Sequence, residues 1–91
     1  MVMENLEKLG KMDKALRMLE DLKNSQVAMI AKASKLQMDA MEFNFSEMEK
    51  NMSDLFTRYN ESLDMINEDL ENFLLRRDQF EEKHGLNNLE E

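Results

Sequence analysis

From Leu9 to Phe80 apolar residues recur at steps of three and four, and no proline interrupts the chain. Such steps keep residues on one face of a helix turning about 100° per residue, whereas a half-buried strand alternates apolar and polar residues one by one. Hairpin dipeptides such as Asn-Gly or Asp-Gly are also missing, so the fold class is all-α.

Followed at about 100° per residue, one stripe holds Leu9, Met12, Leu16 and Leu19, continues at Val27 and Ile30, and passes through Met41, Phe45, Met48 and Met52. It then takes Phe56, Tyr59, Leu63, Ile66, Leu70, Phe73 and Phe80 in coiled-coil-like steps, interrupted by Arg77. A second stripe, Met18, Leu22, Met29, Ala33, Leu36, Ala40 and Phe43, sits roughly 100° or more from the first and exists only in the N-terminal half. That half is apolar on two sides. Beyond Phe43 the opposite face carries Glu47, Asp54, Glu61, Asp64, Glu68 and Glu71, broken mainly by Met65, which is the pattern of a solvated surface.

The expected fold is an antiparallel helical hairpin, one helical domain over residues 1–86 with helices at about 3–43 and 46–84 and a turn near 44–46. Asn44 tolerates the left-handed conformation, and Ser46 with Glu49 forms the Ser-x-x-Glu capping box that opens a helix. Two such hairpins dimerise into a four-helix bundle in this reading. The main stripe also keeps its phase through residues 41–52, which argues for a single long coiled-coil helix, and Lys23-Asn24-Ser25 offers a break that would make a three-helix bundle. Lys83, His84 and Gly85 suit a helix end, with Leu86 placed to fold back on Phe80, and residues 87–91 form an acidic disordered tail. Gly10 weakens the first turns.

Charge narrows the partners. The net charge is −8, distributed as +2 over residues 1–35, −8 over 36–75 and −2 over 76–91. Nucleic acid and anionic lipid are bound through clustered Lys and Arg, so neither is an expected partner. A hairpin sets the mildly basic arm against the acidic one. Parallel in-register pairing of two chains would lay like charge on like charge, and antiparallel pairing avoids this. Helical pairs four residues apart are expected at Glu4 with Lys8, Glu7 with Lys11, Asp13 with Arg17 and Asp54 with Arg58. Lys23 and Arg77 fall on the main stripe, where a charge ordinarily runs its stem to the rim of a bundle and less often pairs with an acid of a neighbouring helix.

Catalytic chemistry is not expected. No cysteine is present, which removes disulfides, thiol nucleophiles and Cys-ligated metals and fits a reducing, cytoplasmic setting. His84 follows Glu81 by three, the Glu-x-x-His unit of di-iron bundles, but it occurs once and at a helix end, where a capping or exposed histidine is the ordinary reading. Phosphate loops and calcium loops are absent from the sequence, and no cofactor or small-molecule substrate is expected. The longest apolar run, Val27 to Ala31, is far short of a membrane span, and Met-Val-Met-Glu-Asn lacks signal-peptide character, so neither a membrane nor export by that route is expected. Three Asn-x-Ser sequons, at Asn44, Asn51 and Asn60, read as chance matches.

With 91 residues, a lone core is marginal, so partners are expected. The leading functional reading is a non-catalytic interaction module, a homo-oligomeric adaptor or assembly protein. Its second stripe, Met18, Leu22, Met29, Ala33, Leu36, Ala40 and Phe43, meets itself or an amphipathic helix of another protein. Ten methionines suit either a homo-oligomeric core or an adaptable groove. The alternatives are a small acidic chaperone and a coiled-coil scaffold. The chaperone is similar in size, charge and methionine content to bacterial type III secretion chaperones, and would cover a helix of an exported or assembly-prone client.

Overall fold

The computed structural model describes residues 2–86. Helix α1, Val2–Phe43, and helix α2, Ser46–Lys83, run antiparallel and pack against each other, so the chain is an all-α hairpin. α1 continues unbroken through Lys23, Asn24 and Ser25, and the reversal comes at Asn44 and Phe45, which excludes both the single long helix and the three-helix bundle. The acidic tail expected at 87–91 lies outside the described residues.

The turn is built by the backbone. Asn44 takes φ 61°, donating its N–H to the carbonyl of Met41 at 3.2 Å, and Phe45 donates to Ala40 at 2.9 Å. These are the two bonds of a Schellman motif, with Asn in the left-handed position usually held by Gly. The amide of Glu49 bonds the carbonyl of Phe45 at 2.9 Å, which makes Phe45 the residue flanking α2 and Ser46 its first helical residue. The capping box expected from Ser46 and Glu49 therefore does not form, because Ser46 lies inside α2 and the flanking residue is Phe45, which has no side-chain acceptor. At the far end Gly85, at φ 63°, donates to Glu82 at 3.1 Å and stops α2 as expected, and Leu86 beyond it is fully buried.

The hairpin divides into two compact units, Met1–Asp21 with Glu68–Glu91, and Leu22–Asn67. In the first, α1 turns inward Asn5, Leu9, Met12, Leu16 and Leu19, and α2 turns inward Leu70, Phe73, Arg77 and Phe80. Leu9 is 2% exposed, and Lys8 holds its ammonium 5.1 Å from the Phe80 ring centre. In the second unit the inward positions of α1 are Lys23, Gln26, Ile30, Ala33, Gln37 and Ala40. Those of α2 are Met48, Met52, Leu55, Tyr59, Leu63 and Ile66.

The inward residues of α1 follow steps of four and three throughout. Phase drift therefore corrects part of the sequence reading. A straight-helix phase slips about 20° per heptad against a 3.5-residue repeat, so roughly 90° accumulates between Leu9 and Ala40. Val27, Met41 and Phe45, expected on the packed stripe, are 48%, 54% and 61% exposed, and Gln26, Ala33 and Ala40 are buried instead. On α2, Leu55 is half-buried where Phe56 was expected, giving steps of three, four and four from Met52 to Leu63, an eleven-residue spacing. Phe56 is 38% exposed.

Two helices cover only one side of each other. The buried apolar side chains among the described residues are Leu9, Ala33, Ala40 and Leu86, and none belongs to α2.

Candidate interaction surface

Ala33 and Ala40 are the key to the geometry of the second unit. They are 3% and 0% exposed, and their small side chains leave room for α2 to approach α1 closely. Leu22, Met29, Leu36 and Phe43 are the residues on α1 that flank this packed line on one side, at intervals of seven. They remain 50%, 40%, 41% and 62% exposed. Between the helices Met29, Ala33 and Leu36 meet Met52, Leu55 and Tyr59 in a shallow apolar cleft with Lys32 at its edge. Gln26, 9% exposed, donates its side-chain amide to the carbonyl of Tyr59 at 3.2 Å in the same unit. A separate recess in this unit is polar, with Gln37 opposite Glu49, Ser53 and Thr57.

In the first unit a second apolar cleft is formed by Ala15 and Leu19 of α1 with Phe73 of α2, edged by Asp69 and Arg76. Met18 stands outside it at 74% exposure. The charged feature of this unit is Arg77, whose side chain is 17% exposed and reaches Asp13 at 2.7 Å, Glu81 at 3.0 Å and Asp78 at 3.1 Å. Its guanidinium is held above its ordinary pKa, chiefly by the hydrogen bond it donates to Asp13, with burial opposing and Asp78 and Glu81 reinforcing.

The structure separates the seven expected interface residues into two groups. Met18, Leu22, Met29, Leu36 and Phe43 are exposed, as an interaction stripe requires. Ala33 and Ala40 are corrected into the intrachain seam, because the heptad drift carries them under α2. Met38, 62% exposed, and Leu74 and Leu75, 49% and 58% exposed, are further open apolar residues that the sequence reading missed. For the two leucines the signal was present, since both lie beside and outside the stripe position Phe73.

Other expectations resolve individually. Asp54 with Arg58 and Glu7 with Lys11 pair along their helices at 3.0 and 3.9 Å. Asp13 turns instead to Arg77, so Arg77 is not a rim charge, and this cross-helix pair joins an acid of the basic arm to a base of the acidic arm. Glu81 is engaged by Arg77, and His84 lies against Phe80, ring centres 4.6 Å apart, with its Nδ1 3.2 Å from the Asn5 side-chain amide. Among the described residues no group of three or more His, Cys, Asp or Glu is placed to hold a metal ion, and no helix is long and apolar enough to cross a membrane.

Compared with protein-family models, curated proteins and solved structures, the chain matches none. The functional reading rests on the hairpin's own surfaces.

Proposed function

We propose that this chain is a non-catalytic helical interaction module that associates with a second copy of itself, two hairpins completing a four-helix bundle. The observation that carries the reading is the row Leu22, Met29, Leu36 and Phe43, apolar at seven-residue intervals and 40% or more exposed. Isolated exposed apolar residues are ordinary, but a periodic row beside a packed seam is the arrangement a further helix covers. A two-helix chain gains little burial alone, and a second hairpin supplies what is missing. Cytoplasmic placement belongs to this reading.

Light scattering coupled to size exclusion tests it. A dimer mass is expected at micromolar concentration, with Leu36→Asp and Met29→Asp shifting the chain to monomer and Glu61→Lys on the outer face of α2 leaving it dimeric. A monomer at all concentrations overturns the proposal. The cleft between Met29, Leu36, Met52 and Leu55 favours a second reading, a small acidic chaperone that takes an amphipathic client helix there. In that case the aspartate variants leave the mass unchanged and abolish client capture.

A further inference from the structure

We propose that the turn end of the hairpin, around Met38, Met41 and Phe45, docks a basic amphipathic helix of another protein. These residues lie wholly within the Leu22–Asn67 unit, and the proposal does not depend on self-association through the Leu22, Met29, Leu36 and Phe43 row.

Met38 and Met41 stand three residues apart on α1 and are therefore neighbours on its surface. The Schellman reversal holds Phe45 against the same last turn, its amide on the carbonyl of Ala40 at 2.9 Å. All three are more than half exposed, at 62%, 54% and 61%, and the inward positions of that turn belong to Gln37 and Ala40. Leu36 and Phe43 of the row stand two residues from Met38 and Met41, about 160° around the helix, so patch and row are separate surfaces. Two flexible thioethers beside an aromatic ring make a surface that adapts to the side chains of an incoming helix.

Charge decides the occupant. Residues 36–49 carry four acids, Asp39, Glu42, Glu47 and Glu49, and no Lys or Arg. Lys35, at one boundary, is turned to Asp39 and holds both its carboxylate oxygens at 3.1 Å. Glu42, Glu47 and Glu49 have no ion pair among the described residues. Glu42 stands four residues from Met38 and Glu49 four from Phe45, one helical turn in each case, so acids border the patch at both ends. The other nearby basic residues point elsewhere. Lys32 is about 120° around α1 from Met38, at the edge of the Met29 cleft, and Lys50 is about 100° around α2 from Glu49. A helix whose apolar stripe is flanked by Lys and Arg matches both the apolar patch and its acidic border. The same segment of a second copy would set these acids against themselves.

The chain has no tryptophan, so one tryptophan in a synthetic peptide reports contact. The probe is a helical peptide of about 14 residues, leucine on one face and lysine on the other, with a matching Leu/Glu peptide as its counterpart. The Leu/Lys peptide is expected to bind with blue-shifted emission and a micromolar Kd, and the Leu/Glu peptide not to bind. Met38→Ser combined with Phe45→Ser raises the Kd at least about tenfold and Glu42→Lys about tenfold, whereas Glu61→Lys, the same charge change on the outer face of α2, raises it less than about twofold. Equal weakening by Glu42→Lys and Glu61→Lys would mean attraction to net charge alone and overturns the site, as does binding of the Leu/Glu peptide. Light scattering separates this site from self-association, since the double serine variant keeps the native mass. Conversion of a native dimer to monomer by that variant would assign the patch to a second copy and overturn the proposal. A native chain that is monomeric, yet binds the Leu/Lys peptide as described, overturns self-association and leaves this site standing.

Discussion

Arg77 donates its Nε hydrogen to Asp13 at 2.7 Å, joining residues 64 apart in sequence across the two helices. The pair occupies an inward position of α2 that the repeat otherwise fills with Leu70, Phe73 and Phe80, and Asp78 and Glu81 lie against Nη1 and Nη2 of the guanidinium at 3.1 and 3.0 Å. A charge at such a position specifies register because any slip leaves it without its partners.

Removing one acid is expected to cost about 1 kcal/mol, since Arg77 keeps two others in Asp13→Ala, whereas Arg77→Met leaves three carboxylates facing one another and costs about 2 kcal/mol. Urea unfolding of the single and double variants measures this, and the double variant is expected to lose less than the sum of the two. Strict additivity would contradict the pairing. Arg77 is held above its ordinary pKa when folded, so its charge contributes stability that is fully present below the unfolded value and lost only as strong alkali deprotonates it. Its contribution is therefore constant through neutral pH.

The two glycines are expected to respond oppositely to alanine. Gly10 lies inside α1 with no atom within 4 Å of a Cβ built on it, so Gly10→Ala raises stability by up to about 1 kcal/mol. Gly85 also has open space but sits at φ 63°, where a Cβ strains the backbone, and Gly85→Ala lowers stability by about 1 kcal/mol. Thermal midpoints moving in the same direction would refute the assignment of one of these backbone states.

Gln26 is the buried polar residue of the packed seam in the Leu22–Asn67 unit, where Lys23 and Gln37 are only half-buried. Its amide bond to the Tyr59 carbonyl adds to a carbonyl that already belongs to the α2 ladder, so Gln26→Leu leaves no backbone group stranded. The expected outcome is a gain of about 1 kcal/mol, with Gln26→Ala losing a similar amount through the space it opens. Denaturant midpoints decide it, and a large loss in Gln26→Leu would show that the amide carries more than register.

How far the sequence was legible follows from the range of each interaction. Steps of three and four, the absence of proline, the left-handed tolerance of Asn44 and the glycine stop at Gly85 are local, and they favoured two helices joined by one turn while the unbroken phase through residues 41–52 and the break offered by Lys23-Asn24-Ser25 kept a single helix and a three-helix bundle open. Five of the seven expected stripe residues are open to solvent for the same reason, because periodicity places them away from the packed face. Ala33 and Ala40 were misassigned because alanine carries little hydrophobic signal and because a straight-helix phase loses track of a seven-residue repeat over four turns of it.

What the sequence alone determined was the helical character and the side of α1 that carries open apolar residues, since each depends on neighbours within a few residues; reversal at Asn44 was one of three readings that only the packing of the two helices separated. Only the tertiary structure decided that Asp13 leaves Arg17 for Arg77, that Leu55 packs in place of Phe56, and that Gln26 rather than Val27 enters the seam. Those choices turn on the register of one helix against the other, which is set by side chains dozens of residues apart competing for the same few ångströms.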